Sequence, residues 1–165
     1  MSVDFTNFFK PKKIVVIGAS RNPQKVGHVI VKSILDGGFK GEIIPVNREA
    51  DAILNLKTYK SVLDLKEKID LAIISVPALN VLDVVKECNK KAIKDLIIVS
   101  AGFSEIGNKG LEEDLRIYLK KNKMRCIGVN CLGVFDAYNN LDTLFLPRYK
   151  LKRPASGGIS FVCQS

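Results

Sequence analysis

The sequence predicts a single α/β domain built on a doubly wound, Rossmann-like parallel sheet. Three observations carry that prediction. Short β-branched runs alternate with amphipathic stretches of helical length, the pattern of successive βαβ units. The first apolar run ends in Gly18-Ala19-Ser20, and a second glycine, Gly27, opens the helix that follows. The chain has 165 residues, 47% hydrophobic and 26% charged, which is ordinary for one soluble domain. A chain of that length buries roughly 70% of its unfolded surface and needs no staples.

The elements follow in order. "KKIVVIGA", residues 12–19, is a buried parallel strand. "KVGHVIVKSILDGG" is a helix with Val26, Val29, Ile30 and Ile34 on one face, stopped by Gly37-Gly38. "GEIIPVN", residues 41–47, is the second strand. A short helix is expected over 61–68. "DLAIISVP", residues 70–77, is the third strand, closed by proline. The helix "ALNVLDVVKECNKKA" turns Val81, Val85 and Cys88 inward. "DLIIVSAGF", residues 95–103, is the fourth strand, and "LEEDLRIYLKKNK" is a helix with Leu111, Leu115, Tyr118 and Leu119 inward. "MRCIGVN", residues 124–130, is the fifth strand. A long polar segment without clear periodicity comes next, and "GISFVCQS" reads as a last strand with no helix after it. The expected division is a lead-in over 1–12, the sheet domain over 13–150, and a linker over 151–165 that carries the first strand of a truncated following domain. Right-handed crossovers between such strands produce the doubly wound sheet.

Composition excludes several classes. The longest apolar runs fall far short of the ~20 residues a membrane span needs. The N-terminus lacks the order of a signal peptide. The four cysteines, Cys88, Cys126, Cys131 and Cys163, form no C-x-x-C pair, and there is one histidine, so no metal site is expected. Free thiols fit a reducing, cytoplasmic setting. The net charge of +9 is spread along helices without an arginine block or interleaved aromatics. It suits an anionic small ligand and does not read as a nucleic-acid surface. No segment ahead of the first strand has room for a helix-turn-helix.

In an open parallel sheet the ligand lies beyond the carboxyl ends of the strands. Those ends carry small, hydroxyl and amide residues. The first loop, Gly18, Ala19, Ser20 and Arg21 with Lys25 nearby, offers backbone N–H groups, a helix N-terminus and two cations to a phosphate. After the second strand stand Asn47 and Arg48, where an NAD site would place an acidic residue on the ribose. An arginine there favours a phosphorylated ribose, found in both NADP and coenzyme A, and spacing does not choose between them.

"FFKPKKIVVIGASRNPQKVGHVIVKSILDGGFKGEIIPVN" resembles the opening of the coenzyme A-binding domain of the ADP-forming acyl-CoA synthetases, the superfamily of the succinyl-CoA synthetase α subunit. "SVPA", "SAGFSEIG", "GVNCLGV" and "ISFVCQS" resemble its later motifs in the same order, so the likeness spans nearly the whole chain. Two departures are small: the family has Gly-Pro-Asn-Cys at Gly128-Val129-Asn130-Cys131 and Ser-Gln-Ser at Cys163-Gln164-Ser165. The resemblance implies that Gly18, Ala19, Ser20, Arg21 and Lys25 hold the coenzyme A phosphates. It places Asn47 and Arg48 by the ribose phosphate and Val76, Pro77 and Ala78 against the coenzyme. Ser100, Ala101, Gly102 and Phe103 then meet the pantetheine, and Asn130 and Cys131 lie toward the thiol.

In such enzymes a phosphohistidine and an ATP-grasp region form an acyl phosphate that the thiol attacks. The resemblance puts both in other parts of the synthetase, and these are the expected partners, with self-association through "GISFVCQS" as a further one. No catalytic residue is expected in this chain. His28 has no partner base to make it a phosphoryl carrier, and Cys131 has no second histidine to activate it. The alternative is a stand-alone regulatory module that binds coenzyme A or NADP. An NADP-dependent oxidoreductase would need a substrate domain and a Tyr/Lys pair that the sequence does not offer. A Gly18→Val change is expected to block the first loop while sparing the fold.

Overall fold

The computed structural model of the chain describes residues 4–163. It begins with α1 (Thr6–Phe9), β1 (Lys13–Ile17), α2 (Val26–Asp36) and β2 (Glu42–Val46), then a hairpin of β3 (Ala52–Ile53) and β4 (Leu56–Lys57). A 3-10 turn over Val62–Asp64 leads to β5 (Leu71–Ile74), α3 (Ala78–Lys90) and β6 (Asp95–Ile98). A second 3-10 turn, Ser104–Ile106, precedes α4 (Lys109–Lys121) and β7 (Arg125–Ile127), and a hairpin of β8 (Phe135–Asp136) and β9 (Leu141–Asp142) follows.

The predicted doubly wound sheet forms. Its strands run in the order β2-β1-β5-β6-β7, and every pair is parallel. The chain goes outward from β1 to β2 and then crosses back to β5, so the order reverses between β1 and β5. That switch point opens a crevice at the carboxyl ends of the strands.

Both faces of the sheet are covered, which is why the strands read as unbroken apolar runs. Val15, Ile17, Ile44, Val46, Ala72 and Ile74 pack with Val81, Val85 and Cys88 of α3 and Leu115 of α4. On the other face Ile14, Val16, Ile43, Leu71 and Ile73 pack with Ile30, Val31 and Ile34 of α2 and with Phe8 of the lead-in. The lead-in is therefore part of this core. Asn7 also donates from Nδ2 to Asp95 Oδ2 at 2.8 Å, and Arg125 donates to both Asp95 oxygens from the Nε–Nη2 edge of its guanidinium.

Four local expectations change. The inward face of α2 is rotated: Val26 is exposed and Gly27 is buried, because the helix meets the first loop through its glycine. The expected helix over 61–68 shrinks to the 3-10 turn. Ser61 and Asp64 cap that turn reciprocally, and Leu65 then adopts an extended backbone that carries its side chain into the core. The polar segment after β7 is ordered through buried polar groups. Thr143 Oγ1 accepts from Val134 N at 2.7 Å and donates to Val134 O at 3.0 Å, while the buried Asp142 accepts from Arg153 Nε at 2.9 Å and Arg148 Nη2 at 3.1 Å. Finally, the expected last strand is not formed over the described part of "GISFVCQS". Ile159, Phe161 and Val162 are 80%, 85% and 101% exposed, with no neighbouring strand to pair with, and Gln164 and Ser165 lie outside the described residues.

Candidate functional site

The switch point holds a crevice of about 340 Å³. Gly18, Asn47, Arg48, Val76 and Pro77 line it, joined by Lys60 and by Asn80, Val84 and Glu87 of α3.

The first loop is built around two glycines. Gly18 has φ +89, which favours glycine, and a Cβ there would lie 2.6 Å from Ser75 O. Ser75 Oγ in turn donates toward Ile17 O and Gly18 O, 3.3 Å from each. Gly27 has an ordinary φ, yet a Cβ there would lie 2.0 Å from Gly18 O. The start of α2 is thus pressed directly on the loop, and no side chain caps that helix terminus. Open first-turn N–H groups and the helix dipole then face the loop, an arrangement suited to an anion. The contact at Gly18 corrects the expectation for valine: β-branching at positive φ against the Ser75 carbonyl would disturb the fold as well as the loop.

Asn47 does not present its amide to the crevice as a free group. Its Nδ2 donates to Ala19 O at 2.8 Å, and its Oδ1 accepts from Glu49 N and Ala50 N, both at 2.8 Å. It ties the first loop to the loop after β2. Arg48, the next residue, is exposed at the mouth. Lys60 stands beside it, its ammonium 3.2 Å from the carboxylate of the exposed Asp51, a solvent-screened pair that is easily exchanged.

The other sequence-predicted residues flank the crevice without lining it. Ser20 Oγ accepts from Asn22 N at 3.1 Å, and Ser20 O lies 2.9 Å from His28 Nδ1, which makes that nitrogen a donor. His28 therefore holds the loop's backbone. Ala19 is buried, and Arg21 and Lys25 are exposed beside the loop. Ala78 starts α3 beside Gly102, where a Cβ would lie 3.0 Å from the Ala78 methyl. Ser100 Oγ is directed back to Ile74 O at 3.5 Å, and the Phe103 ring is in the core at 1% exposure. In this loop the exposed parts are therefore backbone and Ala101. Glu105 Oε1 and Oε2 accept from Gly102 N and Phe103 N, and these bonds hold its carboxyl below the usual range.

Asn130 (φ +51) donates its backbone N–H to Ser100 O at 3.0 Å, which aligns the β7 loop with the β6 loop. Cys131 Sγ lies 3.4 Å from Ile98 O, and burial raises its pKa. Burial pushes the neighbouring Cys126 up to about 12. Both thiols stay protonated at neutral pH, and both pack against the core. Among the described residues, no group of three or more His, Cys, Asp or Glu side chains is placed to hold a metal ion, and no helix is long and apolar enough to cross a membrane.

Sequence reasoning passed over Lys60, Ser61, Asn80, Val84 and Glu87. The signal for three of them was present: Asn80, Val84 and Glu87 recur at i, i+4 and i+7 beside the buried stripe of α3.

The CoA binding domain family matches residues 12–137. The chain belongs to that family. The CoA-binding domain is also 43% identical over 155 residues to an ADP-forming acetate–CoA ligase of Methanocaldococcus jannaschii, covering 94% of this chain and 21% of that protein. It is 36% identical to the α subunit of ADP-forming acetate–CoA ligase II of Pyrococcus furiosus, covering 96% of this chain and 34% of the subunit. Among solved structures, a dinucleotide forming acetyl-coenzyme A synthetase of Ca. Korarchaeum cryptofilum, in complex with phosphate and ADP, superposes with a TM-score of 0.84 at 39% identity. The match covers 88% of this chain and 31% of that one. The CoA-binding domain thus spans between a fifth and a third of the length of these relatives.

Proposed function

We propose that this chain holds coenzyme A along the carboxyl edge of its sheet, as the N-terminal part of an ADP-forming acid–CoA ligase. The observation that carries the reading is the charge at the end of β2. The cations Arg48 and Lys60 flank the mouth of the crevice, at the position where an unphosphorylated ribose would call for an acidic residue. Arg48 takes the ribose phosphate, and Lys60 is released from Asp51 to share it. The Gly18 loop and the open start of α2 take the pyrophosphate, with Arg21 and Lys25 adding charge. The pantetheine then runs past Val76, Pro77 and Ala78 and the backbone of Ser100, Ala101 and Gly102 toward Asn130 and Cys131.

In this reading residues 13–150 are the binding domain and 151–165 lead toward the next part of the synthetase. The chain's own residues bind and orient. When bound, the coenzyme supplies the thiol that attacks an acyl phosphate. The phosphohistidine and ATP-grasp regions come from the rest of the synthetase, in a cytoplasmic setting that keeps the thiols reduced. The full reaction converts acyl-CoA, ADP and phosphate to acid, ATP and coenzyme A, or the reverse.

One observation favours a second reading, a stand-alone binding module. A conserved hypothetical protein of Pyrococcus furiosus is 34% identical with a TM-score of 0.58, and the match covers 90% of that chain. Calorimetric titration with coenzyme A, its 3′-dephospho form, NADPH and NADH tests the ligand. The chain should select coenzyme A, and Arg48→Glu should weaken binding by roughly 1.5–3 kcal/mol, the range for hydrogen bonds to charged groups. Equal affinity for the 3′-dephospho form would remove Arg48 from the phosphate, and binding of NADPH alone would overturn the coenzyme A reading. Acyl-CoA-dependent ATP formation on adding a phosphohistidine-bearing subunit separates the ligase part from the stand-alone module.

A further inference from the structure

The α3 wall of the crevice carries a group that phosphate binding does not explain. Glu87 is half-buried, and its carboxylate belongs to no ion pair among the described residues. The nearby lysines are engaged elsewhere, Lys86 with Asp83, Lys91 with the Leu65 carbonyl and Lys60, on the same crevice, with Asp51 at its mouth. A carboxylate without a counter-charge opposes a polyanionic ligand unless that ligand brings it a neutral N–H or O–H donor.

The carboxylate is also held in place beforehand. Ser61 Oγ donates to Glu87 Oε2 at 3.1 Å while accepting from Leu63 N at 3.1 Å, and Ser61 N donates to Asp64 Oδ2 at 2.9 Å. Both roles of the hydroxyl are thereby assigned, and Glu87 Oε1 receives no donor among the described residues. Apolar side chains from three elements line the same crevice: Val46 at the end of β2, Val76 after β5 and Val84 on α3. Asn80, one turn before Val84, adds an amide that both donates and accepts.

An acceptor-only group beside an apolar slot selects a planar ring that carries an amino group. We infer that Glu87 is the base-specificity residue of this site. The purine lies among Val46, Val76 and Val84, its 6-amino group donates to Glu87, and the Asn80 amide serves a ring nitrogen. Adenine offers a donor at that position, whereas a 6-oxo purine presents an oxygen that faces the carboxylate with like polarity. The inference rests on the proposal that the crevice holds coenzyme A, and it divides recognition between two ends: Arg48 reads the phosphate and Glu87 reads the base.

The test compares coenzyme A with its deamino analogue, in which hypoxanthine replaces adenine at nearly the same size, and with 3′-dephospho-coenzyme A. The wild-type chain should bind coenzyme A at least about tenfold more tightly than the deamino analogue, the discrimination of one charged hydrogen bond. Glu87→Ala should bind those two about equally and still prefer coenzyme A over the 3′-dephospho form. Glu87→Gln keeps an acceptor oxygen and should retain part of the preference. Equal wild-type affinity for the two bases, or a folded Glu87→Ala that keeps the preference, overturns the inference and leaves coenzyme A binding intact. Failure of the wild-type chain to bind coenzyme A overturns the underlying reading itself.

Discussion

Gly27→Ala is the substitution through which the loop architecture is most exposed to test. The added methyl would stand 2.0 Å from the Gly18 carbonyl oxygen, and Cβ atoms essentially never approach an atom closer than 3.0 Å. The start of α2 and the first loop must therefore separate by about 1 Å or more. Both partners are backbone, so no rotamer change can absorb the shift. Overpacking of this kind costs typically ~1–3 kcal/mol. It is opposed by the better helix propensity of alanine, ~0.5–1 kcal/mol. A net loss of roughly 1–2 kcal/mol should remain, with a larger relative loss in coenzyme A affinity if, as proposed, the displaced amides hold the pyrophosphate. Gly110 is the internal control. It too is the second residue of a helix, α4, but a Cβ there meets nothing within 4 Å. Gly110→Ala should stabilise by about 0.5 kcal/mol and leave binding unchanged. Urea denaturation gives the stability of both variants, and titration calorimetry gives the affinity. A Gly27→Ala protein with wild-type stability and affinity would refute the claim that glycine is needed for α2 to reach the loop.

Two further outcomes are expected. Asp142→Asn should cost roughly 3–5 kcal/mol in a urea titration, because it leaves the Arg153 side chain, only 4% exposed, without its counter-charge; a cost below about 1 kcal/mol would mean that the guanidinium finds other partners. Burial pushes Cys88 and Cys126 up to about 12 from an ordinary 9.0, so the unfolded chain ionises first on the alkaline side. Their contribution to stability is complete below pH 9 and is lost as pH rises from there toward 12, and a Cys88→Ala/Cys126→Ala pair should show a shallower alkaline decline in its urea midpoint.

The sheet was legible because burial on both faces leaves continuous β-branched runs, and β1 and β5 are buried throughout their central residues. The first loop was legible through Gly18, since few residues other than glycine serve at that turn. Other features were hidden for definite reasons. The Asn47 amide can serve a ligand or the backbone, and spacing does not distinguish a group that ties Ala19 to Ala50 from one that waits for a phosphate. Phe103 follows a glycine at a strand end, as a ligand-facing aromatic would, but it fills the core. Glu87 and Lys60 line one crevice only after the chain has crossed over, although they stand 27 positions apart in sequence. The β8–β9 hairpin rests on Asp142 and Thr143, buried polar residues that a hydrophobic pattern reads as surface.

The bond from Asn47 to the Ala19 carbonyl has a consequence for how such a site can be retuned. Asn47 carries the mechanical tie between two loops, and its neighbour Arg48 carries no structural bond among the described residues. Frame and choice are thus written on adjacent letters. The second can be rewritten, for instance to an acidic residue that would favour a bare ribose, without loosening the first. On the proposed reading of Arg48, a lineage, or an engineer, could change what the crevice accepts by a single edit while the architecture that presents it stays as it was.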